Sequence, residues 1–205
     1  MKQKLILIGG GGHCRSCIDV IESQDLYEIV GIVDLPHNVD NEILGYKVIA
    51  SDEDLPRITK EYKNFLITIG QIKTPSLRKE KYILLKQLGG AFPSVVSPKA
   101  VVSEHAVLGE GNIVMHNVVI NAGATIGNNC IINTGAIVEH DVLIGNHVHV
   151  SIGAIVNGGT KIGNDTFIGS NSVIRECVSI GNEVVVGAGV AVMRDVANRE
   201  MLKSN

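Results

Sequence analysis

The sequence predicts an α/β domain with a parallel sheet, followed by a parallel β-helix. In the second part of the 205-residue chain, an aliphatic residue recurs every six positions without a slip. In the first part, a glycine run stands between an apolar strand pattern and a helical pattern. Aromatic residues make up only 3% of the chain whereas Gly numbers 23, which favours narrow, regular β-structure over a bulky core.

The six-residue repeat predicts the β-helix. Six residues suit one short strand and a corner, so three units close a triangular coil of about 18 residues, and about five coils result. The sixteen aliphatic positions are Val102, Leu108, Val114, Ile120, Ile126, Ile132, Val138, Ile144, Val150, Val156, Ile162, Ile168, Ile174, Ile180, Val186 and Val192. A small or β-branched residue stands four positions later, at Ala106, Val118, Ala124, Ala136, Val142, Ala154, Thr160, Thr166 and Ser172. We expect both sets of side chains to point into the core.

Gly or Asn often follows the aliphatic residue of the repeat. The positions are Gly109, Asn121, Gly127, Asn133, Gly145, Asn157, Gly163, Gly169, Gly181 and Gly187. Because these residue types tolerate unusual backbone angles, we expect them to form the corners of the coils.

The N-terminal region has the pattern of a Rossmann-like parallel sheet. A strand at residues 5–8, a helix at about 14–22 and a strand at 29–33 that ends at Asp34 form a β-α-β unit. A further strand at 65–69 precedes a charged amphipathic helix at about 77–88, which Gly89 and Gly90 close. Because Pro93 and Pro98 mark a connection, the predicted domains are residues 1–92 and 93–205.

Charge and hydropathy exclude several classes of partner. The formal net charge is −3 and no run of five or six like charges exists, which argues against nucleic acid and against acidic membranes. No apolar run of 18 residues and no long apolar segment of a signal peptide is present, so we expect a cytoplasmic protein without membrane insertion. Cys14 and Cys17 form a lone C-x-x-C, for which half-buried helix thiols are favoured over a redox or metal site.

The glycine run predicts a phosphate-binding turn. Residues Gly9 to Gly12, then His13, come between the first strand and the first helix, where backbone N–H groups and the helix dipole can hold an anion. The nicotinamide fingerprint G-x-G-x-x-G fails at Cys14, although an acid, Asp34, lies downstream. A dehydrogenase site and a purely structural turn remain the alternatives.

One corner of the repeat is polar and ionisable, at Glu139, His140 and Asp141. A neutral His supported by a carboxylate can accept a proton from a nucleophile that attacks a thioester. This corner is preceded by Asn133 and followed by His147 and His149. We expect these three residues to join it in one polar cluster. A solvated charged corner is the alternative. A zinc site on the three His has unsuitable spacing, so no metal is expected.

Taken together, the glycine turn, the unbroken hexads and the E-H-D corner resemble one family of bacterial sugar acyltransferases, from about residue 3 to residue 195. These are the sugar O- and N-acyltransferases related to sialic acid O-acetyltransferase, including the nucleotide-amino-sugar N-acetyltransferases of the bacillosamine and perosamine pathways. The resemblance implies a left-handed β-helix, although the usual crossover preference is right-handed. It also implies acetyl-CoA as co-substrate and a homotrimer.

The resemblance also assigns roles to individual residues. His140 matches the family's catalytic base, and Asp141 the supporting acid, where the bacillosamine enzymes have Glu. The residues that it implies for the sugar nucleotide are Gly11, Gly12, His13, Asp34, Gly70 and Asn133. Those that it implies for acetyl-CoA are His149, Gly158, Ser170 and Ala188. The C-terminus lacks the family's usual G-x-P-A-K segment, so contacts to the adenine of CoA stay open.

The function that the resemblance implies is N-acetylation of a nucleotide-linked 4-amino-4,6-dideoxyhexose, for surface glycan biosynthesis. Two alternatives stay open. A sialic acid O-acetyltransferase needs the same base and the same thioester, and a non-catalytic scaffold trimer would use the β-helix only as a stalk.

Overall fold

The computed structural model describes residues 2–203; the predicted departure at the C-terminus includes Ser204 and Asn205, which lie outside these residues. The N-terminal region forms one five-stranded sheet in the order β3-β4-β2-β1-β5. Its strands are β1 (Gln3–Ile8), β2 (Tyr27–Asp34), β3 (Glu42–Ile43), β4 (Tyr46–Ser51) and β5 (Asn64–Ile67). Its helices are α1 (Gly12–Gln24), α2 (Leu55–Glu61) and α3 (Ser76–Gln87). No helix in the described part of the chain is long and apolar enough to cross a membrane.

The sheet is parallel, as the β-α-β pattern predicts, except for the short antiparallel pairing of β3 with β4 at its edge. Helix α1 packs on one face, where Cys14, Cys17 and Ile18 join an apolar core that continues into the β-helix. Helices α2 and α3 cover the other face, around Phe65 and Leu85. Sequence patterns did not reveal β3, β4 and α2; strand β3 has only 2 residues, and α2 has only 7, with Pro56 in its first turn.

The second region is a triangular β-helix of two-residue strands that pair in parallel. The docked face, which lies against the N-terminal domain, comprises β6 (Val95–Val96), β9 (Ile113–Val114), β12 (Ile131–Ile132), β15 (His149–Val150), β18 (Phe167–Ile168), β21 (Val185–Val186) and β23 (Met201–Leu202). The apolar face comprises β7 (Val101–Val102), β10 (Val119–Ile120), β13 (Ile137–Val138), β16 (Ile155–Val156), β19 (Val173–Ile174) and β22 (Ala191–Val192). The third face comprises β8 (Val107–Leu108), β11 (Thr125–Ile126), β14 (Leu143–Ile144), β17 (Lys161–Ile162) and β20 (Ser179–Ile180).

The strand register confirms the predicted coil. Ile120 pairs with Val102 in the coil before and with Val138 in the coil after, so each coil contains 18 residues. The aliphatic positions from Val114 to Val192 are all buried, and so are the small residues from Val118 to Ser172. Val102, Ala106 and Leu108 are only partly buried, because they belong to the first complete coil at the open end of two faces.

The expected role of the Gly and Asn residues that follow the aliphatic position is wrong. The left-handed backbone occurs two residues later, for example at Asn117 (φ 58°), Gly123 (φ 76°) and Asp141 (φ 59°). The glycines after the aliphatic position serve close packing instead, since a Cβ added at Gly127 would lie 2.7 Å from the backbone of Gly145 in the next coil. The corner prediction therefore identified the right segments but not the residues with positive φ.

A ladder of asparagine side chains links successive coils along one edge of the β-helix. The side-chain Oδ1 of Asn146 accepts a hydrogen bond from the backbone N–H of Asn128 at 2.8 Å, and Asn146 donates in turn to Asn164 Oδ1 at 2.7 Å. The same contact recurs at Asn182 and Asn198. Each bond satisfies a corner N–H that no strand can pair with, so the ladder holds successive coils in register.

Candidate active site

A buried arginine docks the N-terminal domain on the β-helix. Arg78 of α3 is 1% exposed, and its guanidinium donates to the carbonyl oxygen of Ile69 at 3.2 Å and to that of Asn129 at 2.6 Å. A third bond reaches Asn129 Oδ1 at 3.1 Å. Burial lowers the pKa of Arg78 to about 10, so the side chain stays charged at neutral pH. One cation therefore joins α3, the segment after β5 and a corner of the β-helix.

The two domains enclose a cavity of about 960 Å³ between the glycine turn and the docked face. Nine of the predicted binding residues line it: Gly11, Gly12, His13, Asp34, Gly70, Asn133, His149, Ser170 and Ala188. The first five come from the N-terminal domain and the other four from the docked face or its edges. Residues predicted for the sugar nucleotide and for acetyl-CoA thus share one cavity.

The glycine turn brings Asp34 to the start of α1. A Cβ added at Gly10 would lie 2.7 Å from Asp34 Oδ2, so the carboxylate occupies the space that Gly10 leaves. Asn38 donates to the same oxygen at 2.8 Å. Helix α1 begins at Gly12 without a side-chain cap among the described residues, which leaves its first N–H groups directed at the cavity. This arrangement combines an anion site with a hydroxyl acceptor beside it.

His13 sits in the cavity wall as a neutral imidazole. Burial, together with the charges of His149 and Arg78, lowers its pKa to about 3. Its Nε2 atom is buried and has no hydrogen-bond partner within residues 2–203. A Cβ added at Gly70 would lie 3.5 Å from the His13 Cβ, so Gly70 leaves room beside the ring. His13 can therefore offer a neutral ring to a bound molecule, but it cannot supply a positive charge.

The hydrogen bonds of His149 determine its tautomer. Its Nδ1 lies 2.6 Å from the carbonyl oxygen of Gln71, which can only accept, so Nδ1 carries the proton. Its Nε2 then accepts from Asn133 Nδ2 at 3.0 Å, while Asn133 Oδ1 accepts from the backbone N–H of Thr134. Burial lowers the pKa of His149 to about 4. The Asn133–His149 pair is thus a rigid, neutral part of the cavity wall.

His140 lies at the edge between the apolar face and the third face, away from the docked face. Its side chain is 65% exposed, and its Nδ1 lies 2.9 Å from Asp141 Oδ2. The hydrogen bond that His140 donates to Asp141 raises the pKa of His140. Since Nδ1–H donates to the carboxylate, Nε2 is the basic atom that faces solvent.

Gly158 makes room for the His140 ring. It lies one coil after His140, and a Cβ added there would come within 2.7 Å of the His140 Cε1 and Nε2 atoms. Gly158 therefore belongs with His140 and Asp141 in a second group, which we call the His140 corner, and apart from the nine residues of the cavity.

The expected single polar cluster around this corner is wrong. His147 lies at another edge, where its ring packs edge-on against Tyr82 at 5.4 Å and its Nδ1 contacts Asn129 at 3.0 Å. Burial lowers its pKa to about 4. His147 therefore supports domain docking, and no group of three His, Cys, Asp or Glu in the described ranges could hold a metal ion.

Sequence reasoning missed several residues of the cavity wall, among them Asp52, Gln71 and Lys81. Lys81 is 8% exposed, and its Nζ forms an ion pair with Asp52 Oδ2 at 3.0 Å. Asp52 directly follows β4, a strand that the sequence patterns did not reveal, and Lys81 lies within a charged helix that reads as solvent-exposed. An acid directly after a parallel strand was the available signal.

Both parts of the chain match known family profiles. Residues 4–82 match the PglD N-terminal domain, and residues 105–140, 141–176 and 159–194 match the bacterial transferase hexapeptide of six repeats. No curated protein sequence gives a significant match.

Solved structures agree over nearly the whole chain. PerB from Caulobacter crescentus, in complex with CoA and GDP-perosamine, is 32% identical with a TM-score of 0.91, over 98% of this chain and 94% of that one. This chain belongs to the hexapeptide-repeat sugar acyltransferases. A histidine-to-asparagine variant of perosamine N-acetyltransferase from the same organism, again with CoA and GDP-perosamine, is 31% identical with a TM-score of 0.92, over 98% and 93%. The acetyltransferase domain of PglB from Neisseria gonorrhoeae, in complex with acetyl coenzyme A, is 29% identical with a TM-score of 0.91, over 100% and 98%.

The resemblance and the fold class predicted from sequence are therefore confirmed: this acyltransferase combines an α/β domain with a left-handed parallel β-helix. The class of enzyme is confirmed too, an acetyltransferase with acetyl-CoA as co-substrate. The roles of individual residues and the domain boundary at residue 92 remain predictions.

Proposed function

We propose that this acyltransferase moves the acetyl group of acetyl-CoA to the 4-amino group of a nucleotide-linked 4-amino-4,6-dideoxyhexose. The observation that carries the proposal is the cavity between the glycine turn and the docked face, which joins an anion site to the β-helix. The relatives supply the chemistry, since PerB and the perosamine N-acetyltransferase variant were solved with CoA and GDP-perosamine together.

We propose one orientation for the sugar nucleotide in the cavity. Its diphosphate would accept from the N–H groups at the start of α1, and its ribose hydroxyls would donate to Asp34. The sugar would then extend towards Asn133, at the edge where the docked face meets the apolar face. The amine therefore points out of the chain that binds the nucleotide, and a base must come from elsewhere.

A second copy of the chain can supply that base. The outward side chains of the apolar face form an aliphatic row along the whole β-helix: Val101, Val119, Ile137, Ile155, Val173 and Ala191. Val101 is 65% exposed and Val173 37%, which is typical of a surface that another protein covers. Asn133 borders this face on one side and His140 borders it on the other.

Packing of this row between copies would close a ring. A head-to-tail contact that repeats around a closed axis brings the His140 edge of one copy to the Asn133 edge of the next. We therefore propose a homotrimer with three equivalent sites, each formed by the cavity of one copy and the His140 corner of its neighbour. Acetyl-CoA would lie along the coils between the copies, near His149, Gly158, Ser170 and Ala188.

The reaction follows from the two groups of residues. The neutral 4-amino group attacks the thioester carbon, and Nε2 of neutral His140 takes a proton from the nitrogen of the tetrahedral adduct. The tetrahedral oxyanion collapses, the carbon–sulfur bond breaks, and the proton on His140 passes to the CoA sulfur. Asp141 orients the ring and stabilises its positive charge. Sugar nucleotides and acetyl-CoA are made in the cytoplasm, where the proposal places the enzyme.

Release of CoA thiol tests the proposal. The enzyme is incubated with acetyl-CoA and a panel of GDP-, UDP- and dTDP-linked 4-amino-4,6-dideoxyhexoses, with free and CMP-linked sialic acid as controls. We expect release with at least one amino-sugar nucleotide and an N-acetyl product by mass spectrometry. Release with sialic acid alone would support O-acetylation, and no release with any acceptor would support a non-catalytic scaffold.

A further inference from the structure

A partly buried ion pair in the cavity has no part in the proposed chemistry. Lys81 Nζ lies 3.0 Å from Asp52 Oδ2, and both residues line the cavity. The side chain of Lys81 is only 10% exposed, whereas that of Asp52 is 34% exposed, so the carboxylate is the more open partner. The exposed Glu80 lies 3.6 Å from the same ammonium. Salt bridges commonly lie on the protein surface, but this pair forms part of the wall of a ligand cavity.

The sheet places this pair where a nucleotide base would lie. The glycine turn follows β1, Asp34 ends β2 and Asp52 follows β4, and these three strands are neighbours in the sheet. Ile8 pairs with Val33, and Asp34 pairs with Ser51, so the three ends are level. Adjacent strands lie about 4.8 Å apart. Phosphate at the turn and ribose at Asp34 therefore place the base, one step further, at Asp52.

The surroundings of the pair suit a flat aromatic ring. Leu35, Ile72 and Leu77 line the same cavity and are 50%, 70% and 54% exposed. Aliphatic side chains around a partly buried polar pair are typical of small-molecule sites, in which apolar walls contact the ring and a few polar groups select it.

We infer that the Asp52–Lys81 pair reads the Watson–Crick edge of guanine, so that the enzyme takes a GDP-linked sugar. Because the ion pair joins the Lys81 ammonium to Asp52 Oδ2, the polar atoms stand in the order ammonium, Oδ2, Oδ1: one donor and then two acceptors. Guanine presents the complement, O6 as acceptor and then N1–H and N2–H as donors. Uracil and thymine present acceptor, donor, acceptor, which leaves one carboxylate oxygen facing a carbonyl oxygen. Adenine offers only one exocyclic donor.

This inference rests on the proposed function only because it takes the cavity as the nucleotide site. Binding of nucleoside diphosphates tests the inference independently of acetyl transfer. Calorimetry with GDP, UDP, dTDP and ADP on the full chain should show GDP binding at least tenfold tighter than the others. IDP, which lacks the 2-amino group of guanine, should bind several-fold more weakly than GDP. Equal affinity for GDP and IDP, or tighter binding of UDP or dTDP, would overturn the inference.

The variant Asp52→Asn keeps the size of the side chain and replaces one acceptor with a donor. We expect its GDP affinity to fall at least tenfold, its UDP affinity to stay within about twofold, and its preference for GDP over IDP to vanish. Glu53→Gln, on the exposed neighbour in the same turn, is the matched control and should bind like the wild type. Unchanged GDP binding by Asp52→Asn would contradict the inference.

Failure of the guanine assignment and failure of the proposed function give different results. If acetyl transfer occurs with a UDP- or dTDP-linked sugar and GDP is not preferred, the assignment of guanine is wrong and the proposed function stands. If none of the four diphosphates binds and no CoA is released, the proposed function itself is wrong.

Discussion

The cavity and the His140 corner both contain histidine, but its ring has opposite properties in the two places. His13 and His149 are buried in the cavity wall, and burial lowers their pKa values to about 3 and about 4. His140 is exposed at an edge of the β-helix, and the hydrogen bond that it donates to Asp141 raises its pKa. The buried imidazoles are fixed, neutral contacts. The exposed one is the stronger base.

The difference teaches how the fold divides binding from chemistry. A rigid cavity needs groups whose protonation does not change, and desolvation provides them. A proton acceptor needs an available lone pair and a carboxylate behind it, which an exposed corner provides. In this chain the two sets lie on different sides of the β-helix, so the proposed function combines them across two copies.

Loss of the base should give the largest effect. His140→Ala is expected to lower kcat for acetyl transfer by roughly 100- to 10,000-fold and to leave the KM for the sugar nucleotide nearly unchanged, because the cavity is intact. Steady-state kinetics of CoA release measures both constants. His105→Ala, on another exposed corner histidine, is the matched control and should keep wild-type turnover. Near-normal turnover of His140→Ala would contradict the assignment of the base.

Displacement of the same ring should give the next largest effect. In Gly158→Ala, the new methyl group would overlap the His140 ring, which must turn away, and we expect kcat to fall by roughly 100-fold. The double variant with His140→Ala isolates the cause. Once the ring is absent, Gly158→Ala should cost little more. Additive losses would instead assign Gly158 a separate role, such as contact with acetyl-CoA.

A substitution in the cavity should change the KM for the sugar nucleotide rather than kcat. Asp34→Asn removes a charged acceptor for the ribose hydroxyls, so the KM for the sugar nucleotide should rise roughly tenfold while kcat changes little. Asp40→Asn, an exposed acid in the following loop, is the control. A loss confined to kcat would break the division between cavity and corner.

The smallest effect concerns the pH profile. The neutral form of His140 is the active one, so kcat rises as the pH rises through its pKa. Asp141→Asn removes the charge that raises this pKa, so the acidic limb of the profile should move to lower pH. Since the pair is exposed, the loss at neutral pH should be at most about fivefold. The kcat of the variant relative to wild type should therefore increase as the pH falls; a limb that does not move would exclude His140 as the titrating group.

The fold followed from sequence where one physical rule dominates. A core one coil wide admits only an aliphatic residue at each sixth position, so the repeat fixes the coil at 18 residues, as the pairing of Ile120 with Val102 and Val138 confirms. Handedness came from resemblance, because no local pattern encodes it. Strand β4 was missed although Tyr46, Val48 and Ile49 favour a strand. The left-handed corners were misplaced because Asp, Cys and Glu occupy several of them besides Gly and Asn.

The site was less accessible from sequence, for a different reason. The glycine turn and Asp34 belong to a local β-α-β unit, so their proximity could be inferred from strand ends. The positions of His147 and His149 depend on which edge of a triangle each hexad occupies, and a difference of two residues moves a side chain from an edge to a face. Arg78, Asp52 and Lys81 gain their roles only from docking and from strand order, which neither composition nor spacing shows.

Complementation between two inactive variants tests the central claim most directly. One variant, His140→Ala, lacks the base; the other, Gly10→Val, has a side chain in the space that the Asp34 carboxylate fills. Each alone should be inactive in acetyl transfer. If sites are shared between neighbours in a trimer, an equal mixture that assembles together should recover about a quarter of wild-type activity, since one site in four then pairs an intact corner with an intact cavity. Activity no greater than that of the separate variants, in oligomers shown to be mixed, would mean that a single chain holds the whole site and would contradict the account.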